Sequence, residues 1–95
     1  MRNAATDLKR VTLELGGKSP LVVLKDADMT FAAQLAHLSL FLNQGQCCCA
    51  GSRILVEDTV YDEFVEKSTK LARARKMGAG WQSDTQQGDQ CLIIS

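Results

Sequence analysis

The sequence predicts an α/β fold in which strands alternate with helices. Short apolar runs rich in β-branched residues occur three times, and two longer segments repeat apolar residues at helical spacing. The predicted order is strand, strand, helix, loop, strand, helix. Strands joined through a helix usually pair in parallel, so we expect a parallel crossover. With 95 residues, the chain has room for one small domain.

Three segments carry the strand signal. Residues 11–15, with the sequence VTLEL, alternate apolar and polar side chains, and a double glycine follows. After Pro20, residues 21–24 form a continuous apolar run that is typical of a buried strand. Residues 53–56 form a similar short run. Each of these segments is therefore predicted to be one strand.

The first helix is expected to begin after Asp28, whose carboxylate is a favourable N-cap. Its apolar residues recur every three or four positions and predict one apolar stripe: Phe31, Leu35, Leu38 and Leu42. His37 lies off this stripe. We therefore interpret it as a surface or interface residue rather than a ligand or base.

The second helix is expected to begin at Asp58 or Thr59 and to end at Gly78. Its inner face is predicted to comprise Val60, Phe64 and Leu71. Basic residues cluster near its end, namely Arg73, Arg75 and Lys76, where they complement the helix dipole. We place one partial domain at residues 1–78. Residues 79–95 are rich in Gly, Gln and Asp, and we expect them to be a divergent, disordered tail.

Composition excludes several classes of partner. The chain has 11 basic and 11 acidic residues, with no basic stripe and no arginine cluster among aromatic residues, so nucleic acid is not expected as a partner. No apolar run is long enough to span a bilayer, and residues 1–10 lack the apolar core of a signal peptide. We therefore expect neither a membrane partner nor secretion.

The four cysteines are not expected to form a disulfide framework. Cys47, Cys48 and Cys49 are contiguous, and adjacent residues rarely meet disulfide geometry, whereas Cys91 is distant. No metal site is expected, because the C-x-x-C spacing is absent and the chain has one histidine. Reduced thiols indicate an intracellular location, either the cytoplasm or the mitochondrion.

The contiguous cysteines lie in a predicted loop between Gly45 and Gly51, where small residues let the backbone approach a ligand closely. A thiol becomes a good nucleophile when positive charge or backbone donors lower its pKa, and Arg53 is close enough in sequence to contribute. The alternative is that all three thiols are small buried apolar side chains. Composition alone does not decide between these interpretations.

Glu14 is a carboxylate between two leucines, followed at once by the double glycine. In a simple alternating strand it would face water, and Lys18 offers an ion-pair partner. A carboxylate at a strand end beside a glycine turn also suits a general base. These three interpretations remain open from the residues alone.

Two segments resemble the active-site motifs of the NAD(P)-dependent aldehyde dehydrogenases. Residues 11–20, VTLELGGKSP, resemble the glutamate motif of that family, and residues 43–53, NQGQCCCAGSR, resemble its cysteine motif. The similarity runs from about residue 4 to residue 77. The triple cysteine is most similar to the mitochondrial and the retinal-oxidising classes.

The resemblance implies a fragment of the catalytic domain of that family and a mechanism. Cys48, the middle thiol, is implied to attack the aldehyde, and Glu14 to activate the water that hydrolyses the resulting thioester. The backbone of Leu15 and Gly16 is implied to lie near the nicotinamide of NAD, or of NADP. Cys47 and Cys49 are implied to take no part in the reaction.

The sequence also departs from the family. The family usually shows a Gly-Asn-Pro turn after the second helix and a Gly-Pro further on, but this chain has no proline after Pro20. The family's chains are several times longer and include a separate cofactor-binding region. We therefore expect this chain to be inactive alone. The alternative hypothesis is an inactive product that pairs with full-length homologous subunits.

Overall fold

The computed structural model describes residues 1–88 of the chain. Its elements are α1 (Arg2–Ala5), β1 (Pro20–Val23), α2 (Met29–Phe41), β2 (Arg53–Val56) and α3 (Tyr61–Ala74), with 3-10 turns at Leu42–Gly45 and Asp58–Val60. The predicted α/β class is confirmed. Residues 89–95, which include Cys91 and the end of the predicted tail, lie outside the described residues.

β1 and β2 form a two-stranded parallel sheet, and α2 connects them. Pro20 is paired with Arg53, and Val23 with Val56. In a parallel pair both strands run the same way, so their first residues lie at one edge of the sheet. The segments that precede Pro20 and Arg53 therefore meet at this edge.

The first predicted strand, residues 11–15, is not formed. These residues are exposed and have no strand partner among residues 1–88. The alternation of apolar and polar side chains favours a strand. A strand also needs a neighbouring backbone segment with which its N–H and C=O groups can form hydrogen bonds. The radius of gyration is 18.1 Å, against about 12 Å for a compact domain of this length, because the first 18 residues hardly pack against the core.

The core lies between the sheet and the two long helices. Its buried side chains are Val23, Met29, Ala33, Ala36 and Phe64, with partly buried Leu21, Ala32, Ile54, Val56, Val60 and Leu71 packed against them. The predicted inner face of the second helix is therefore correct. Ala33 is 0% exposed, and such small side chains let neighbouring elements approach the helix backbone closely.

The predicted apolar stripe of α2 does not face this core. Phe31 is 63% exposed and Leu38 is 61% exposed, because the smaller Met29, Ala33 and Ala36 occupy the buried side. α2 contains no Asp, Glu, Lys or Arg. A helix that is apolar on every side is typical of an element surrounded by protein. The predicted stripe therefore lies on the side of α2 that faces away from the core.

The helix ends agree only in part with the sequence prediction. The Oδ1 atom of Asp28 accepts hydrogen bonds from the backbone N–H groups of Thr30 (2.8 Å) and Phe31 (3.0 Å), which confirms the N-cap. The second helix has no side-chain cap, because a 3-10 turn over Asp58–Val60 leads into it. It ends at Ala74 rather than at Gly78.

The chain leaves α3 early because Arg75 is extended and its side chain is held by neighbours. Its Nη2 donates to the carbonyl of Phe41 (3.2 Å), and its Nε donates to Oε1 of Gln87 (2.6 Å). Its Nη1 lies 3.2 Å from Nε2 of His37. Burial, and then the charge of Arg75, lower the pKa of His37. Arg75 thus joins α2 to residues 86–88 instead of acting through the helix dipole alone.

No helix among residues 1–88 is long and apolar enough to cross a bilayer.

Substitution of Phe64 tests the assigned core. We expect Phe64→Ala to lower the free energy of unfolding by about 3 kcal/mol, because it removes a buried ring and leaves a cavity. Phe31→Ala, which removes the same ring from an exposed position, is expected to change stability little. Urea unfolding followed by circular dichroism measures both, and equal losses in the two variants would contradict the assigned core.

Candidate active site

The two sequence motifs meet at one edge of the parallel sheet. The backbone N–H of Arg53 donates to the carbonyl of Ser19 (3.3 Å), which extends the pairing of β1 and β2 by one step. Glu14 precedes Ser19 by a few residues, and Cys48 precedes Arg53 by a few residues. The fold therefore joins the end of the first motif to the end of the second, at Ser19 and Arg53.

The cysteine loop begins with three consecutive residues of positive φ. The φ values are 51° at Asn43, 57° at Gln44 and 74° at Gly45. Asparagine and glycine tolerate this conformation, whereas a residue such as Gln44 adopts it at a cost of about 1 kcal/mol or more. The turn is closed by Asn43, whose Nδ2 donates to the carbonyl of Gln46 and whose own carbonyl accepts from the N–H of Gln46, both at 3.0 Å.

The loop is held against α2 at its other end. Ala50 is 5% exposed, and the N–H of Gly51 donates to the carbonyl of Ser39 (3.2 Å). The N–H of Ala50 also donates to the carbonyl of Cys47 (3.1 Å), which forms a turn around the thiols. A Cβ atom on Gly51 would lie 2.7 Å from Oγ of Ser39. The close approach of the loop to α2 therefore requires glycine at this position.

The three thiols are clustered on this turn. Cys48 and Cys49 are exposed and Cys47 is partly buried, and their sulfur atoms lie within 4.8 Å of one another. The Sγ atoms of Cys47 and Cys49 are 3.4 Å apart. The alternative of three buried apolar thiols is therefore excluded.

Hydrogen bonding shifts the pKa values of Cys47 and Cys49 in opposite directions. The backbone N–H of Cys49, followed by its thiol, lowers the pKa of Cys47. The same thiol contact, followed by the charges of Cys47 and Cys48, raises the pKa of Cys49. Arg53 is not a cause of either shift. Local hydrogen bonding thus favours a thiolate at Cys47, whereas exposure and the resemblance favour attack by Cys48.

The segment that carries Glu14 is extended and open. Glu14 is exposed and has no hydrogen bond or ion pair within residues 1–88, so the ion pair with Lys18 is not formed. Leu15 is 71% exposed. No atom lies within 4 Å of the position that a Cβ on Gly16 would occupy, which leaves room for a flat ligand against this backbone.

A separate groove lies away from Glu14 and the three cysteines. It has a volume of about 260 Å³, runs between α2 and α3, and is lined mainly by apolar side chains, including His37, Phe41 and Phe64. Neither Glu14 nor any of the three cysteines lines it. Glu14, Cys48 and Cys49 are exposed, so the candidate site is open to solvent.

Comparison with known proteins identifies the family. The sequence profile described as the aldehyde dehydrogenase family matches residues 1–91. The chain belongs to the aldehyde dehydrogenase family. This match continues past residue 78, where we placed the domain boundary from the sequence; that boundary remains a prediction.

Similar aldehyde dehydrogenases include enzymes of different names. The mitochondrial aldehyde dehydrogenase of Homo sapiens is 57% identical over 86 residues, which is 90% of this chain and 17% of the human protein. Retinal dehydrogenase 2 of Taeniopygia guttata is 54% identical over 85 residues, which is 90% of this chain and 16% of that protein. This chain therefore spans about a sixth of the length of the curated relatives it matches.

A solved aldehyde dehydrogenase has the same local fold. The NAD+ complex of the Bacillus cereus enzyme superposes with a TM-score of 0.84 and 43% sequence identity, covering 90% of this chain and 18% of that one. The α/β arrangement of this aldehyde dehydrogenase segment is thus shared with an experimentally determined member of the family.

Sequence reasoning missed the contacts that place the cysteine loop. Ser39 was not singled out, although its carbonyl and hydroxyl both face Gly51. The carbonyl of Ser19, which joins the two motifs, was also missed. Gly51 was the available signal, because a glycine at the end of a reactive loop often marks a close backbone approach.

Substitution of Gly51 tests this contact. Gly51→Ala is expected to force Ser39 out of its rotamer and break the hydrogen bond from its Oγ to the carbonyl of Ala36 (3.0 Å). We expect a loss of about 1 kcal/mol in the free energy of unfolding. In a Ser39→Ala background the same substitution is expected to cost less, since the clashing oxygen is gone. Urea unfolding of the four proteins gives the coupling.

Gly16→Ala is the matched control, because a Cβ atom there meets nothing within 4 Å. If Gly51→Ala proved as harmless as Gly16→Ala, or if Ser39→Ala gave no relief, the proposed contact would be wrong.

Proposed function

We propose that this chain carries the nucleophile and the base of an NAD(P)-dependent aldehyde dehydrogenase, which oxidises aldehydes to carboxylic acids. The nucleophile is the thiol of Cys48 and the base is the carboxylate of Glu14. The observation that carries this proposal is the parallel pairing of β1 and β2, which brings the two motif segments to one edge of the sheet. Membership of the family supports the same assignment.

Cys48 performs the first step. Its thiolate sulfur forms a bond to the carbonyl carbon of the aldehyde, and the carbonyl oxygen gains the negative charge of a thiohemiacetal. The backbone N–H of Cys48 has no hydrogen-bond partner within residues 1–88, so it is available to donate to this oxygen. A backbone donor aimed at a developing oxyanion stabilises the transition state.

The backbone of Leu15 and Gly16 forms one wall of the cofactor site. This backbone is exposed, and the empty space beside Gly16 accommodates a flat ring. A nicotinamide bound here would supply the hydride acceptor for oxidation of the former aldehyde carbon. Cys48 then holds the acyl group as a thioester.

Glu14 performs the last step. Its carboxylate removes a proton from water while the water oxygen attacks the thioester carbon. The carbon–sulfur bond breaks, the carboxylic acid leaves, and Cys48 becomes a thiolate again. Because Glu14 is exposed, it can release the proton to solvent. Cys47 and Cys49 take no part in these steps.

The proposed substrate class is an aldehyde, since the relatives are named for aldehydes and for retinal. The proposed location is the mitochondrion or the cytoplasm. The contiguous reduced cysteines support an intracellular location, and the human relative is a mitochondrial enzyme by name.

The first assay concerns the 95-residue chain itself. We expect no aldehyde-dependent formation of NADH, because holding aldehyde and cofactor in a reactive geometry provides much of the rate and the candidate site is an open edge. Turnover that disappears in a Cys48→Ser variant would show instead that these residues suffice for catalysis.

A chimera tests the roles of the two residues. Residues 4–77 would replace the matching segment of the human relative, whose 57% identity favours a folded hybrid. We expect an active chimera and a loss of at least about 1000-fold with Cys48→Ser. Glu14→Gln is expected to lower steady-state turnover by about 100-fold or more, yet still release one NADH per site in a burst, because hydride transfer precedes hydrolysis.

Cys47→Ser and Cys49→Ser are the matched controls in the same chimera and are expected to keep near-normal activity. The assignment is refuted if Cys48→Ser stays active while Cys47→Ser does not, a result that the lowered pKa of Cys47 makes worth testing.

A second candidate function is pairing with a longer homologous subunit. The exposed apolar face of α2, together with the unpaired segment 11–15, supports it, since both surfaces are suited to contact with another chain. Co-expression with a tagged full-length relative is expected to recover this chain in the complex. Replacement of Phe31 and Leu38 by Ser should reduce recovery, and equal recovery with that variant would count against this surface.

A further inference from the structure

We propose that Cys47, Cys48 and Cys49 together form a binding site for one soft divalent cation of the Zn²⁺ or Cd²⁺ kind. From the sequence we expected no metal site, because contiguous cysteines lack the usual spacing of zinc ligands. The structure changes this view by placing the three sulfur atoms together on one turn. The site does not depend on the aldehyde chemistry proposed above.

The spacing of the sulfur atoms suits three bonds to one metal. Zinc–sulfur bonds of about 2.3 Å at tetrahedral angles place the sulfurs about 3.8 Å apart. The Sγ atoms of Cys47 and Cys49 are 3.4 Å apart, and all three lie within 4.8 Å of one another. Small changes in the side-chain torsions bring each pair to the required distance.

The donor set selects the type of cation. All three ligand atoms are sulfur, and no carboxylate or imidazole of residues 1–88 belongs to the group. Thiolates favour soft cations, whereas Mg²⁺ and Ca²⁺ require oxygen ligands. Three protein ligands also leave the fourth position of a tetrahedral ion for water.

The cation can reach the cluster, and the turn keeps the cluster in place. Cys48 and Cys49 are exposed to solvent. The turn is closed by the hydrogen bond from Ala50 to Cys47 and is held on α2 by the hydrogen bond from Gly51 to Ser39. Three thiols fixed on one turn lose less conformational freedom on binding than three thiols of an unfolded chain.

Metal binding and the proposed catalysis exclude each other. A metal-bound thiolate is a weaker nucleophile, and the bound cation blocks the approach of an aldehyde to the Cys48 sulfur. The proton of each thiol goes to solvent. If the proposed function is correct, the cation is therefore a reversible inhibitor. If the proposed function is wrong, the metal site can still be confirmed or refuted, because its test measures metal binding and not catalysis.

The test is titration of the reduced, metal-free 95-residue chain with Cd²⁺, followed by thiolate-to-cadmium charge-transfer absorption. We expect one Cd²⁺ per chain and no response to Mg²⁺. Each of three variants, Cys47→Ser, Cys48→Ser and Cys49→Ser, should weaken Cd²⁺ binding by about 100-fold or more. Loss of a residue that only hydrogen-bonds to a metal ligand already costs about 10- to 100-fold in metal affinity, and loss of a ligand itself should cost at least as much. Circular dichroism checks that each variant keeps its helices.

Cys91→Ser is the matched control and is expected to leave the affinity unchanged. The three-thiol site is overturned if any one of the first three variants binds Cd²⁺ as tightly as the unmodified chain, or if Cys91→Ser weakens binding as they do. Equal affinity in concentrated urea would also overturn it, because the fold would then contribute nothing to the site.

Discussion

The parallel pairing of β1 and β2 is the constraint on which the rest of the structure depends. It joins Pro20 to Arg53 and fixes the start of both strands at one edge. The helix α2 must then return the chain from the end of β1 to the start of β2, and this return places Ser39 beside Gly51. A short, two-stranded pairing thereby determines where the two motifs end, at Ser19 and Arg53.

The sequence was informative wherever local signals and tertiary contacts agree. Asp28 caps α2, residues 53–56 form β2, and Phe64 faces the core, all as the residue types and spacing indicate. The motif residues Glu14 and Cys48 were recognisable because their neighbours are distinctive.

Prediction from the sequence failed where the structure of a segment depends on contacts with residues distant in the chain. Alternation in residues 11–15 indicates a strand, but no backbone within residues 1–88 completes its ladder. The stripe of large apolar residues on α2 lies outside the core, which uses the alanines of this helix because α3 packs closely against them. Likewise, α3 ends early because Arg75 makes long-range contacts. Helix propensity is a local property and cannot predict such contacts.

The uncharged helix α2 has a consequence for the chain inside a cell. Its exposed side chains, among them Phe31 and Leu38, present the kind of surface that holdase chaperones bind and that marks incompletely assembled proteins for degradation. A chaperone that captures this face lowers the free concentration of the chain, whereas a polypeptide that covers it protects the chain from proteolysis. We therefore expect a polypeptide that covers this face to lengthen the cellular lifetime of the chain.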